Sequence, residues 1–202
     1  MKFKHLALLA LASAMTLAIG CKSGGSGGEP GNATKGPAQI YNKFNIHVVE
    51  SPSRNGTVSR ASYANWVAPI SEHWIIPPGT KMRVLYRRRG IFPGYEITLE
   101  DGRKVYYEFN ARNTGMSAAE YLSVITSQGP VNHQGLSKKD QEGIKTGKAL
   151  TGMSKLGVRV ALGHPAPHRT PSLQQNQWIY WRDRYRTMVV QFDENGKVAS
   201  VR

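Results

Sequence analysis

Ser154-Lys155-Leu156-Gly157-Val158-Arg159-Val160-Ala161-Leu162-Gly163-His164-Pro165, followed after a short gap by Trp178-Ile179-Tyr180-Trp181, is the stretch on which the fold of this chain turns. Ser154 is a helix N-cap, because its hydroxyl can accept a backbone N–H that the first turn leaves unpaired. Leu156, Val158, Val160, Ala161 and Leu162 supply apolar faces, Gly163 gives the C-terminal turn, and Pro165 prevents continuation. From Trp178 the period drops from about 3.6 residues to about two, so Trp178 and Tyr180 share one side of a strand and Trp181 faces the other way, outward. Met188-Val189-Val190-Gln191-Phe192 and Val198 to Val201 read as two further strands joined by Asp193-Glu194-Asn195-Gly196. Upstream, Ser137 opens a polar helix that runs to Lys148, with Asp140 in the capping-box place. Two helices and then three antiparallel strands make a compact α+β layer over residues 137–202.

The ordered pieces Gly152-Met153-Ser154, Val158, Leu162-Gly163-His164-Pro165, Trp178-Ile179-Tyr180, Val190-Gln191-Phe192 and Gly196-Lys197-Val198 resemble the SmpA/OmlA (BamE-like) family of outer-membrane lipoproteins. The resemblance covers about residues 143–202. It implies two helices packed on a three-stranded antiparallel sheet, and a non-enzymatic part in envelope assembly or protein interaction, similar to that of the β-barrel assembly accessory lipoprotein. Envelope proteins are the partners it implies. The matching residues also have plain physical roles. Met153, Val158 and Leu162 are core residues, Gly163 and Pro165 a helix stop, Trp178 and Tyr180 one face of a strand, and Gly152, Phe192 and Gly196 belong to the same mainly structural set. They argue fold before activity.

Residues 39–128 follow another pattern. Asn45 to Val49 is a short β-branched run, Lys81 to Tyr86 alternates, and Tyr95 to Leu99 and Arg103 to Phe109 bracket the turn Glu100-Asp101-Gly102. Asn55-Gly56 and Pro77-Pro78-Gly79 are further turns. With Trp66, Trp74, Tyr106, Tyr107 and Phe109 to fill an interior, the pattern predicts a β-rich domain, a small barrel or curved sheet. Ser117-Ala118-Ala119-Glu120 is a capping box, opening a helix to about Ser127 before Gly129-Pro130. Gly129 to Gly135 then reads as a linker.

The N-terminus reads as an export signal. Lys2 and Lys4 precede an apolar run from Leu6 to Ile19 that is shorter than the roughly 20 residues a spanning helix needs. Leu17-Ala18-Ile19-Gly20-Cys21 resembles a lipobox, so residues 1–20 are a lipoprotein signal peptide and Cys21 carries the lipid; the bland alternative is a cysteine beside an ordinary cleavage site. Cys21 is the single cysteine, so no internal disulfide can form. The residue after it is Lys22, and resemblance to sorted lipoproteins, whose inner-membrane retention signal is typically an Asp there, implies delivery to the outer membrane, facing the periplasm. Residues 21–38 include a stretch, Lys22 to Gly36, with six glycines and no large apolar side chain, a flexible tether reaching about 20 Å. The sequons at Asn32 and Asn55 have no role in such a protein.

The formal charge of +14 falls to +12 once residues 1–20, with Lys2 and Lys4 and no acid, are removed. Export excludes nucleic acid as the acidic partner and leaves lipopolysaccharide, lipid headgroups, peptidoglycan or acidic protein faces, or simply a soluble surface. The pair His164 and His168 is broken by Pro165 and Pro167, which argues against a metal site. Gly143 to Ala149 imitates a phosphate loop, one residue short and with Ala in place of the hydroxyl. No nucleophile or paired carboxylates point to catalysis, and no cofactor is expected. The stronger pattern is Trp181, Arg182, Arg184 and Arg186, an aromatic anchor among guanidinium groups of the kind that dominates protein interfaces. Arg87-Arg88-Arg89 is a second basic cluster. The reading is a membrane-anchored, non-enzymatic interaction factor; the alternative is a module whose basic β-rich part binds anionic glycan or lipid headgroups.

Overall fold

The structure, a computed structural model, describes residues 38–54, 56–88 and 93–202. Cys21, the signal segment, the tether, Asn55 and Arg89 lie outside the described residues. The chain is α+β, with four helices, an eight-stranded sheet curled into a half-barrel and a separate three-stranded antiparallel sheet among the described residues. The large sheet uses β1 (Ala38–Asn42), β2 (Ile46–Ser53), β3 (Gly56–Ser62), β4 (His73–Ile76), β5 (Lys81–Arg87), β6 (Gly94–Leu99), β7 (Lys104–Glu108) and β8 (Thr126–Ser127). Their order is β4-β2-β3-β7-β6-β5-β1-β8, antiparallel throughout except where β3 runs parallel to β7.

The β6–β7 hairpin forms around Gly102, whose φ of 86° suits glycine, and its register pairs Thr98 with Lys104. Curling brings the far ends of the sheet together at Asn42. Its amide, fully buried at the end of β1, donates to the carbonyls of Phe44, Ile76 and Pro77, the last two at the end of β4. The concave face is closed by α2 (Ala118–Ile125), whose Tyr121 packs on Tyr107 and Phe109, with the Tyr107 and Tyr121 hydroxyls 3.0 Å apart. Its capping box at Ser117 and Glu120 forms as the sequence predicts. The helix ends at Ile125 rather than near Ser127, because Thr126 and Ser127 pair with Asn42 and Tyr41 as β8. A four-residue helix, α1 (Ala111–Thr114), capped by Asn110, precedes it.

The small sheet has the order β11-β10-β9, from β9 (Gln177–Trp181), β10 (Thr187–Phe192) and β11 (Val198–Val201). Two helices cover it, α3 (Lys138–Thr146) and α4 (Lys155–Leu162). They pack closely because a Cβ on Gly157 would collide with the Asp140 carboxylate and one on Gly143 with Met153. Asp140 is buried and accepts from Ser154 N and Oγ at 2.7 and 3.1 Å, so the cap of one helix also ties down the other.

Helix α4 is apolar on two sides. Val158, Ala161 and Leu162 join Trp178, Tyr180 and Val190 in the small-sheet core, while Val160 enters the half-barrel core. Its last turn would leave carbonyls unpaired, but β2 and the residue before it supply the donors. Asn45 N donates to Val160 O at 2.8 Å, Asn45 Nδ2 to Ala161 O at 3.0 Å, and His47 Nε2 to Ala161 O at 2.9 Å. Among the described residues no helix is long and apolar enough to cross a membrane.

Candidate functional site

The residues singled out in the sequence do not gather in one place. Met153, Val158, Leu162, Trp178, Tyr180 and Phe192 are core, Pro165 is buried, and Gly152, Gly163 and Gly196 sit at positive φ in turns. Gly143 to Gly147 is the last turn and cap of α3, with Lys148 and Ala149 just beyond, and makes no phosphate loop. His164 is half-buried and pushed down to about 4 by burial and by Arg159, whereas His168 is exposed and stacks near Trp181. Among the described residues no three metal-ligating side chains converge. Arg87 is engaged by Glu96 at 3.2 Å and Arg88 is exposed.

Trp181, expected to face outward, is instead half-buried against Val49, Ala64 and Trp66. The cause is a segment the strand pattern did not reveal: Val67 N and Ala68 N donate to Trp181 O and Arg182 O at 2.8 and 2.9 Å. Residues 67–68 therefore run along the open edge of β9 and carry Trp66 over Trp181. Arg186 braces the hairpin tip, since its Nε donates to Asp183 Oδ2 at 2.7 Å while the amides of Tyr185 and Arg186 donate to Oδ1. These donors hold the Asp183 carboxyl down at about 2, the Arg186 hydrogen bond being the largest cause. Arg182 is exposed and lines a different crevice.

Of the four, Arg184 reaches a second, more apolar cleft. This cleft, about 430 Å³, lies between the 66–71 segment and the β9–β10 tip; Trp66, Ile70, Tyr185 and Val49 line it, with Arg60 and Arg184 beside them. The Arg184 guanidinium lies 5.2 Å from the Trp66 ring centroid, in cation–π range. It also donates to Glu108 Oε1 at 3.2 Å, and Arg60 approaches the same oxygen at 3.7 Å. Burial pushes the Glu108 carboxyl up, and the two guanidinium groups, Arg184 first, oppose that shift. The arrangement fixes both cations against the sheet end at β3 and β7.

The pocket wall is held in an unusual backbone. Asn65 and Trp66 have φ of 71° and 46°, the left-handed region that costs a non-glycine residue about 1–3 kcal/mol. Asn65 is locked there by donating to His164 O at 2.7 Å and Ser62 O at 2.8 Å. At the rim, Ile70 is 86% and Tyr185 85% exposed. Val49, Trp66, Pro69, Ile70 and Tyr185 in the lining suit the cleft to holding an apolar side chain. Trp66, Ile70, Arg60 and Glu108 carry no local pattern that marks them; only the strand pairing brings them to Arg184. Comparison of the chain with protein-family models, with curated proteins and with solved structures found no match to any of them.

Proposed function

We propose that this protein is a non-enzymatic interaction lipoprotein of the outer membrane, anchored through Cys21 and facing the periplasm, which holds an envelope protein by the cleft between the 66–71 segment and the β9–β10 tip. The observation that carries the reading is the pair Ile70 and Tyr185, two large apolar side chains almost wholly exposed on either side of one apolar pocket. Such groups gain about 1.5–3 kcal/mol each when a partner covers them, and Trp, Tyr and Arg are the residue types that dominate interface energetics. Two helices followed by three antiparallel strands, α3, α4 and β9 to β11, is the element order that the BamE-like resemblance of residues 143–202 implies for residues 137–202, and it supports an assembly role among envelope proteins.

An anionic glycan or lipid headgroup is the weaker occupant of this cleft, because Arg60 and Arg184 are already engaged by Glu108. The test is a crosslinking pulldown from intact envelopes at low and high salt, comparing the wild type with Ile70→Ser/Tyr185→Ser. A discrete protein partner retained at high salt and lost in the double variant supports the reading; a partner set unchanged by the variant, or one dispersed by salt alone, rejects it.

A further inference from the structure

A second crevice lies on the other side of the β9–β10 hairpin, between β4 and the α3–α4 connection. His73, Lys148 and Arg182 line it over a floor of Val67, Leu162 and Met188, and no carboxylate is in the lining. Neither Lys148 nor Arg182 has an ion-pair partner among the described residues. Two cations from separate elements thus share the crevice with one histidine, and no carboxylate lines it with them.

The proton positions on that histidine follow from the bonding behind it. A carbonyl can only accept, so the bond between His47 Nε2 and Ala161 O fixes a proton on His47 Nε2. His47 is buried and its pKa is depressed to about 4, so it is neutral at pH 7 and its Nδ1 is a lone pair. That lone pair lies 3.0 Å from His73 Nε2, which therefore carries a proton and donates it. His73 Nδ1 is left with a lone pair in the neutral ring. Protonating it leaves the whole chain His73 to His47 to Ala161 intact and adds a third cation to the crevice. Protonating His47 instead would set two N–H groups against each other.

We propose that this crevice binds an oxyanion, carboxylate or phosphate, and takes up a proton at His73 Nδ1 as it does so. Without an anion, burial pushes the His73 pKa down. With an anion bound, the new N–H has an acceptor and the positive charge a partner, so binding and protonation favour each other. At the carbonyl ends of α3 and α4, Ile144 O, Val160 O and Ala161 O already accept from Asn45 and His47, which lessens their repulsion of an anion. The charged or titratable groups facing His73 are Lys148 from the α3–α4 connection, Arg182 from the hairpin and His47 from β2; β10 and β11 contribute only Met188 and Val201.

The test uses the full chain in nonionic-detergent micelles, following the His73 imidazole nitrogen shifts from pH 4.5 to 8. One arm adds inorganic sulfate, whose charge is constant over this range; the other dopes the micelles with phosphatidylglycerol. A rise of about one unit in the His73 pKa, equivalent to about tenfold tighter anion binding to the protonated form, supports the proposal. If sulfate causes it the site takes a free anion, and if only the lipid does the site takes a headgroup. Lys148→Gln/Arg182→Gln abolishes the rise, and His73→Gln, which can still donate to His47, retains weakened binding that no longer depends on pH. No rise in either arm, a rise that survives the double variant, or a pH dependence that survives His73→Gln overturns it.

Discussion

Glu108 and His47 show how single buried groups set what this molecule tolerates. Glu108 binds Arg60 and Arg184 together, yet Arg184 keeps a side-chain exposure of 49%, so solvent screens the pair. Glu108→Gln should therefore cost only about 1 kcal/mol of stability, read by thermal unfolding, while releasing the hairpin tip that positions Arg184 beside Trp66. His47 behaves differently because it is enclosed. Its folded pKa of about 4 lies below the unfolded value of 6.5, so the unfolded chain binds the extra proton between those pH values. The stability this burial provides is complete above about pH 6.5 and is lost as pH falls toward 4, on the order of 2–3 kcal/mol between pH 7 and 4.5. His164, also near 4, acts in the same direction. Urea unfolding at the two pH values should show this loss, and a shallower one in His47→Gln; an equal loss in both contradicts a neutral His47 in the fold. At this level the sequence was legible only where a residue's neighbours are local. Ser117, Ser154 and Gly163 announced their caps, whereas Glu108 and His47 depend on partners 76 and 114 residues away.

Helices and hairpins were the most legible parts, since period and capping are written within each. The three strands of the small sheet, both of its helices, and the β6–β7 turn all follow from such signals. What escaped was pairing between distant segments: the two-residue β8, which shortens α2, the parallel contact of β3 with β7, and the run of residues 67–68 along β9. That last contact turned Trp181 from an expected surface anchor into a support for Trp66. Arg184 and its neighbour Tyr185 were the legible part of the cleft, because they sit in a local aromatic and basic run. The close approach of α3 and α4 makes an element-level prediction. Gly157→Ala forces a methyl group into the Asp140 carboxylate, and should cost about 1–3 kcal/mol with a fall of several degrees in melting temperature. The same substitution at the exposed Gly135, where a Cβ meets nothing, should leave the melting temperature unchanged; equal effects at the two sites would mean that the helices are not in contact through Gly157.

Across the whole molecule, α4 is the element that joins the two cores. Val160 belongs to the half-barrel cluster and Val158, Ala161 and Leu162 to the small-sheet cluster, and the described residues from 38 to 202 form one compact unit. The cleft exists because of this joining: β3 and β7 provide Arg60 and Glu108, the small sheet provides Arg184 and Tyr185, and the 66–71 segment passes between them. The outer-membrane tether proposed above, about 20 Å in reach, would let that cleft meet partners above the lipid surface. The most direct measurement replaces Tyr185, and separately Ile70 or the exposed Lys104 at the far end of β7, with a photoreactive amino acid and irradiates intact cells. The proposed role predicts one shared protein adduct from positions 70 and 185 that position 104 does not form; the same adducts from all three positions, or none from 70 and 185, would contradict it.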